Sequence, residues 1–161
     1  MIEETEGAAV RPGGIGDRLH AFESLLTQLL RSPSIPFDKQ CRSSLPAAPG
    51  VYRIYDPTSP DETIRAGRTN TAAGGLQQRV YGNHLMGTQA GNLRAQLVRG
   101  GACADAEAAK QYIRDRFRVQ VLVIQDDRER GFFEHFMLAV LQPRYSDRDI
   151  DVRPPGSPGK A

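Results

Sequence analysis

The stretch from Thr63 to Ala104 carries five arginines (Arg65, Arg68, Arg79, Arg94 and Arg99) and no Asp or Glu. A guanidinium stays cationic at physiological pH and offers a planar fork that matches phosphate oxygens. Such a stretch can meet a polyanion locally even when the whole chain is nearly neutral. Two further polar groups lie inside it. Asn83 shares a helix face with Arg79 at i+4, and His84 projects about 100° from Asn83. His84 reads as a phosphate ligand or proton shuttle, or else as a partly buried helix histidine. Outside the stretch, Tyr52 stands in the β-branched and aromatic run Val51-Tyr52-Arg53-Ile54-Tyr55, as either a reactive phenol or a plain sheet aromatic. Glu134 stands among apolar residues of a helix, between the directions of Leu141 and Leu138. A carboxylate there favours a site over a solvated surface.

The rest of the chain, without those five arginines, carries 16 basic and 19 acidic residues, against a formal net charge of +2 for all 161. Arginine outnumbers lysine 18 to 3, so a compositional bias is the competing explanation of the cationic stretch. A length of 161 residues suits one domain with an appendage and supports a core without disulfides or structural metals. Cys41 and Cys103 fit no zinc or disulfide spacing. No apolar run approaches the ~18 residues of a membrane span. The acidic start MIEETEGAAV lacks the apolar region of a secretory signal, so a reduced, cytoplasmic protein is the expectation.

The elements that must position these side chains follow from pattern. Residues 1–16 show no periodicity and read as disordered. Asp17 reads as the N-cap of an amphipathic helix over 17–31, with Leu19, Phe22, Leu25, Leu26, Leu29 and Leu30 in one arc. Its stripe needs a partner surface, either the main domain or a second copy of the chain. A Pro-containing linker follows, completing an N-terminal extension over 1–45. Residues 46–150 then form the main domain. Strand 51–55 and a second strand over 62–68 read as a hairpin. Helices are expected over 76–85, 92–98 and 105–117, then a central strand over 119–124. Asp126 or Asp127 caps a last helix reaching Leu141, whose core arc would hold Phe132, Phe133, Phe136, Met137, Val140 and Leu141. The tail 151–161 reads as flexible. The class is α+β with a small sheet.

Four pieces now stand in order: Pro49-Gly50-Val51-Tyr52, then Ile64-Arg65-Ala66-Gly67-Arg68-Thr69-Asn70, then Leu76-Gln77-Gln78-Arg79 with His84 beyond, then Gly131-Phe132-Phe133-Glu134-His135-Phe136 followed by Leu141-Gln142-Pro143-Arg144-Tyr145-Ser146. In order and spacing the chain resembles the GIY-YIG nucleases, most closely their small stand-alone bacterial members. The resemblance covers about residues 46–150. It implies a three-stranded antiparallel sheet flanked by helices, with the two motifs on the first two strands. It also implies a metal-dependent endonuclease that hydrolyses DNA phosphodiester bonds with one divalent cation, Mg²⁺ or Mn²⁺. Tyr52 takes the place of the catalytic tyrosine, Arg79 that of the helix arginine and Glu134 that of the metal-binding glutamate. His84 is a further catalytic candidate. Arg65, Arg68, Asn83 and Ser146 are the candidates for holding the substrate, and all five arginines of the cationic stretch are candidates for the DNA backbone.

Those residue types suit the chemistry. Phosphodiester hydrolysis needs an activated water, a Lewis acid and a cation facing the developing charge. A phenol near a metal can lose or relay a proton, and one carboxylate leaves Mg²⁺ mostly hydrated, as that ion prefers. Two positions depart from the family pattern: Arg65 replaces the second motif's tyrosine, and Ser146 replaces the asparagine after the last helix. A guanidinium cannot relay a proton as a phenol does. The alternatives are therefore a nucleic-acid-binding module that kept the scaffold and lost turnover, and an interaction module with the 17–31 helix as a homodimer face. From their motif positions on separate elements, Tyr52, Arg79 and Glu134 are expected to converge on one cleft, although Arg79 lies 27 residues beyond Tyr52 and Glu134 a further 55 beyond Arg79.

Overall fold

The computed structural model describes residues 13–70, 74–87 and 91–146. Most of the start read as disordered and the whole tail read as flexible lie outside them. Helix α1 spans Ile15–Arg31, followed by strand β1 (Ile35–Pro36) and the short helix α2 (Cys41–Ser44). Strands β2 (Gly50–Tyr55) and β3 (Thr63–Arg68) come next, then a π-helix over Gln77–Leu85. Helices α3 (Leu93–Arg99) and α4 (Ala106–Arg116), strand β4 (Arg118–Val123) and helix α5 (Asp127–Leu141) complete the order.

The class is α+β, and both motif strands lie where the hairpin was expected. The sheet is antiparallel with four strands, in the order β1-β4-β2-β3, rather than the three expected. The extra strand comes from the segment read as linker: Ile35 pairs with Val119 and Pro36 with Arg118. Two residues are too few to show an alternating pattern, and proline is tolerated because β1 is an edge. Strand β4 does lie inside the sheet, between β1 and β2.

Helix starts follow local chemistry where a side chain can cap them. Asn92, Asp105 and Asp126 accept hydrogen bonds from the N–H groups of Ala95, Ala108 and Glu129 at 2.9, 2.8 and 2.7 Å. Asp17 is no cap. Helix α1 begins earlier, behind Gly14, and Asp17 sits in its first turn, where an acid suits the helix dipole.

Each face of the sheet carries a core. On one face Tyr52, Ile54 and Val119 pack with Val80, Leu85, Leu93, Leu97 and Ile113, and with Phe37, Cys41 and Leu45 from the N-terminal extension. On the other, Val51, Ala66 and Ile124 pack with Leu26 and Leu29 of α1 and Phe133 and Met137 of α5. Phe22 is half-buried, stacked on Phe136 with ring centroids 5.5 Å apart. The upper stripe of α1 departs from expectation, since Leu19 is 50% exposed. The core arc of α5 is also narrower than expected and turned. Its buried residues Arg130, Phe133, Glu134 and Met137 span about 100° of the helix, which leaves Phe132 and Val140 outside.

Candidate functional site

The hairpin register sets the geometry. Tyr52 stands directly opposite Gly67, and Ile54 opposite Arg65, so these four share one face of the sheet. A Cβ built on Gly67 would lie 2.9 Å from Tyr52 Oη and 3.3 Å from its Cζ. Glycine at this position is therefore what lets the phenol lie across β3.

The Tyr52 hydroxyl is 2.7 Å from His84 Nε2, and the two rings are 5.2 Å apart at 54°. His84 projects from the π-helix, whose wide winding shows in the i→i+5 bond from Met86 N–H to Tyr81 C=O at 3.1 Å. At its other nitrogen, His84 Nδ1 accepts the N–H of Leu93, the first residue of α3, at 3.1 Å. Both Tyr52 and His84 are 0% exposed. Burial, then the charges of Arg65 and Arg79, push the imidazole well below its ordinary pKa, so His84 is neutral. Arg79 is half-buried on the same π-helix. Asn83 is half-buried too, its Oδ1 accepting from Gln78 Nε2 at 3.2 Å.

Arg65 is fully buried rather than presented to a ligand. Its Nη1 donates to Gly91 C=O at 3.1 Å and to the side-chain oxygen of Gln96. Gln96 Nε2 in turn donates to Ser146 C=O at 3.1 Å. Arg65 and Ser146 thus meet at one residue, Gln96, which the sequence did not single out. The segment after α5 runs beside β3 here, with Arg144 and Tyr145 N–H groups bonded to Thr63 and Ile64 C=O at 2.9 and 3.0 Å.

Glu134 lies on the opposite side of the sheet from Tyr52. It is 6% exposed and pairs with Arg68, Nε to Oε1 3.5 Å. Arg68 stands opposite Val51, one rung beyond Tyr52–Gly67, and a strand's successive side chains point to opposite faces. The expected cleft is therefore divided. Tyr52, His84 and Arg65 gather on one face, with Arg79 near enough for its charge to act on His84, while Glu134 and Arg68 meet at the same end of the hairpin on the face that α5 covers. Sequence periodicity sets Glu134 between apolar neighbours, just beyond the expected core arc, and here it is buried; periodicity carries no information on which face its helix covers.

Among the described residues, no three His, Cys, Asp or Glu side chains form a group that could hold a metal. Glu134 is the carboxylate the resemblance points to. Its hard oxygen donors suit Mg²⁺ or Mn²⁺, and a single carboxylate fits an ion that keeps most of its waters. The neighbouring Arg68 guanidinium competes for the same oxygens.

The other arginines divide between surface and interior. Arg99 is exposed and Arg68 half-buried, whereas Arg94 is buried with Nη1 on Leu85 C=O at 3.1 Å and Nη2 3.9 Å from Glu107. Arg94 closes the end of the π-helix and is not offered to a polyanion. Arg130, unremarked in sequence, is 2% exposed. It donates to Thr69 C=O at 3.1 Å and Ile124 C=O at 2.9 Å and pairs with Asp127, pinning α5 to the ends of β3 and β4. No described helix is long and apolar enough to cross a membrane. No family model, curated protein or solved structure matches the chain.

Proposed function

We propose that this chain is a metal-dependent DNA endonuclease of the GIY-YIG kind. The observation that carries the reading is the buried Tyr52–His84 pair across from Gly67, on the two strands that bear the motifs. Hydrolysis adds a water oxygen to phosphorus while one ester P–O bond breaks and the leaving oxygen takes up a proton. Tyr52 serves as the phenol that exchanges a proton with the reacting oxygens. Arg79 supplies a permanent positive charge and a planar fork toward the phosphate. Glu134 would hold the cation at the end of the hairpin that it shares with Tyr52, so the reading requires the phosphate to bridge the two faces there; the cation would supply Lewis acidity and lower the pKa of bound water. A cytoplasmic location suits a nuclease without disulfides.

A second reading is a nucleic-acid-binding module without turnover. The specific observation favouring it is the separation of Glu134, paired with Arg68, from the Tyr52 face. The interaction-module reading is weakened because Leu26 and Leu29 of α1 are already covered within the chain.

Plasmid nicking with and without Mg²⁺ tests the proposal, using wild type, Tyr52→Phe and Glu134→Gln beside a binding measurement. Each substitution should lower Mg²⁺-dependent nicking by about 10²-fold or more while binding persists. Salt-sensitive binding with no nicking by the wild type supports the second reading. Nicking unaffected by both substitutions overturns the first.

A further inference from the structure

We infer that His84 is a positioning residue that holds Tyr52 as a fixed hydrogen-bond donor and never serves as its base. The inference deepens the nuclease reading and rests on it for its catalytic meaning.

The tautomer follows from the backbone. A main-chain N–H can only donate, so the 3.1 Å contact from Leu93 makes His84 Nδ1 the acceptor, with its lone pair exposed to that N–H. A neutral imidazole has one ring proton, which must then sit on Nε2. Nε2 is the atom 2.7 Å from Tyr52 Oη, so His84 donates and the phenol oxygen accepts. The alternative, a phenol giving its proton to His84, needs a lone pair on Nε2 and would leave the buried Leu93 N–H facing another hydrogen.

The groups around the ring enforce this state. Tyr52 faces it from β2, Arg65 from β3 and Arg79 from its own helix, and full burial adds to the two positive charges in opposing protonation. A ring held neutral and donating has two effects on Tyr52. It turns the hydroxyl's own proton away from His84, and it stabilises the oxygen whenever that proton leaves. Tyr52 therefore exchanges its proton on the side away from His84, and no relay passes through the histidine.

The chain has three histidines, and His20 and His135 are both exposed. The double variant His20→Gln/His135→Gln leaves His84 as the one imidazole. With nitrogen-15 histidine in this full-length protein, long-range proton–nitrogen spectra report each ring nitrogen. The expected result is a proton on Nε2 and a bare Nδ1, unchanged from about pH 8 to about pH 5. The nicking rate of the same variant should show no inflection in the histidine range. A proton on Nδ1, or a ring that titrates near its ordinary value, overturns the inference. Loss of all nicking by the wild type would sink the nuclease reading instead, and the spectra would still decide the tautomer.

Discussion

An alanine at Gly67 would bring its Cβ to 2.9 Å from Tyr52 Oη, too close for the phenol to keep both its place and its 2.7 Å bond to His84. Gly67→Ala should cost about 1–3 kcal/mol of stability as the ring is displaced. Nicking should fall further than folding, by about 10²-fold, because a small misplacement of a reacting group is costly. Denaturant titration and nicking assays on the one variant check both. His84 gives a prediction in pH. Its folded pKa lies well below the 6.5 of an ordinary imidazole, so between those values the unfolded chain holds the extra proton. Stability contributed by neutral His84 is then complete above pH 6.5 and falls as pH drops below it, with a limiting slope of about 1.4 kcal/mol per pH unit. Unfolding midpoints across that window, compared with His84→Gln, should show the slope in the wild type alone. At this scale the sequence singled out Tyr52, His84 and Glu134 as candidates by type and position, and left open whether Tyr52 and His84 were reactive groups or packed ones. It could not show Arg65 as a core residue, because a buried and a solvated guanidinium look alike until their hydrogen-bond partners are brought together.

Strand β3, helix α3 and the segment after α5 are joined through Gln96, which accepts from Arg65 and donates to Ser146 C=O. Gln96→Leu keeps the volume and removes both bonds. A buried cation left short of an acceptor costs about 1–3 kcal/mol, so the variant should unfold at lower denaturant by that amount. Gln96→Glu restores an acceptor for Arg65 and should recover most of it. Equal stability of wild type and Gln96→Leu would show that the link contributes nothing. Elements whose signals are local were readable in advance: capped helices α3, α4 and α5, and the β2–β3 hairpin with its β-branched and aromatic first strand and the turn formers after it. Strand β1 was not, because its two residues form a strand only by pairing with β4. The π-helix was not either: a helical pattern does not show the wider turn, and Leu93 and Arg94 of α3 meet its end only in the folded chain. Face assignment failed for the same reason: the period of α5 locates its buried arc, and only packing chooses the side of the sheet.

Across the whole molecule the cationic stretch is thinner than its sequence suggests, because folding withdraws Arg65 and Arg94 into the interior. Arg68, Arg79 and Arg99 keep some exposure, and under the nuclease proposal they are the ones that would meet the DNA backbone. Each phosphate neutralised on duplex DNA contributes about −0.9 to the slope of log affinity against log salt concentration. The stretch should therefore contribute about three such units rather than the five that counting arginines would give. Arg99→Ala is exposed and should reduce the slope by about one with an unchanged unfolding midpoint. Arg94→Ala should behave in the opposite way. It removes the donor on Leu85 C=O and the ion pair with Glu107, so the protein should lose stability while the salt slope of what remains folded stays the same. Binding titrations at several salt concentrations, run on protein confirmed folded at each one, separate the two cases. A slope that falls as much for Arg94→Ala as for Arg99→Ala would mean that the buried guanidinium reaches the nucleic acid after all, and that the division between surface and core arginines is wrong.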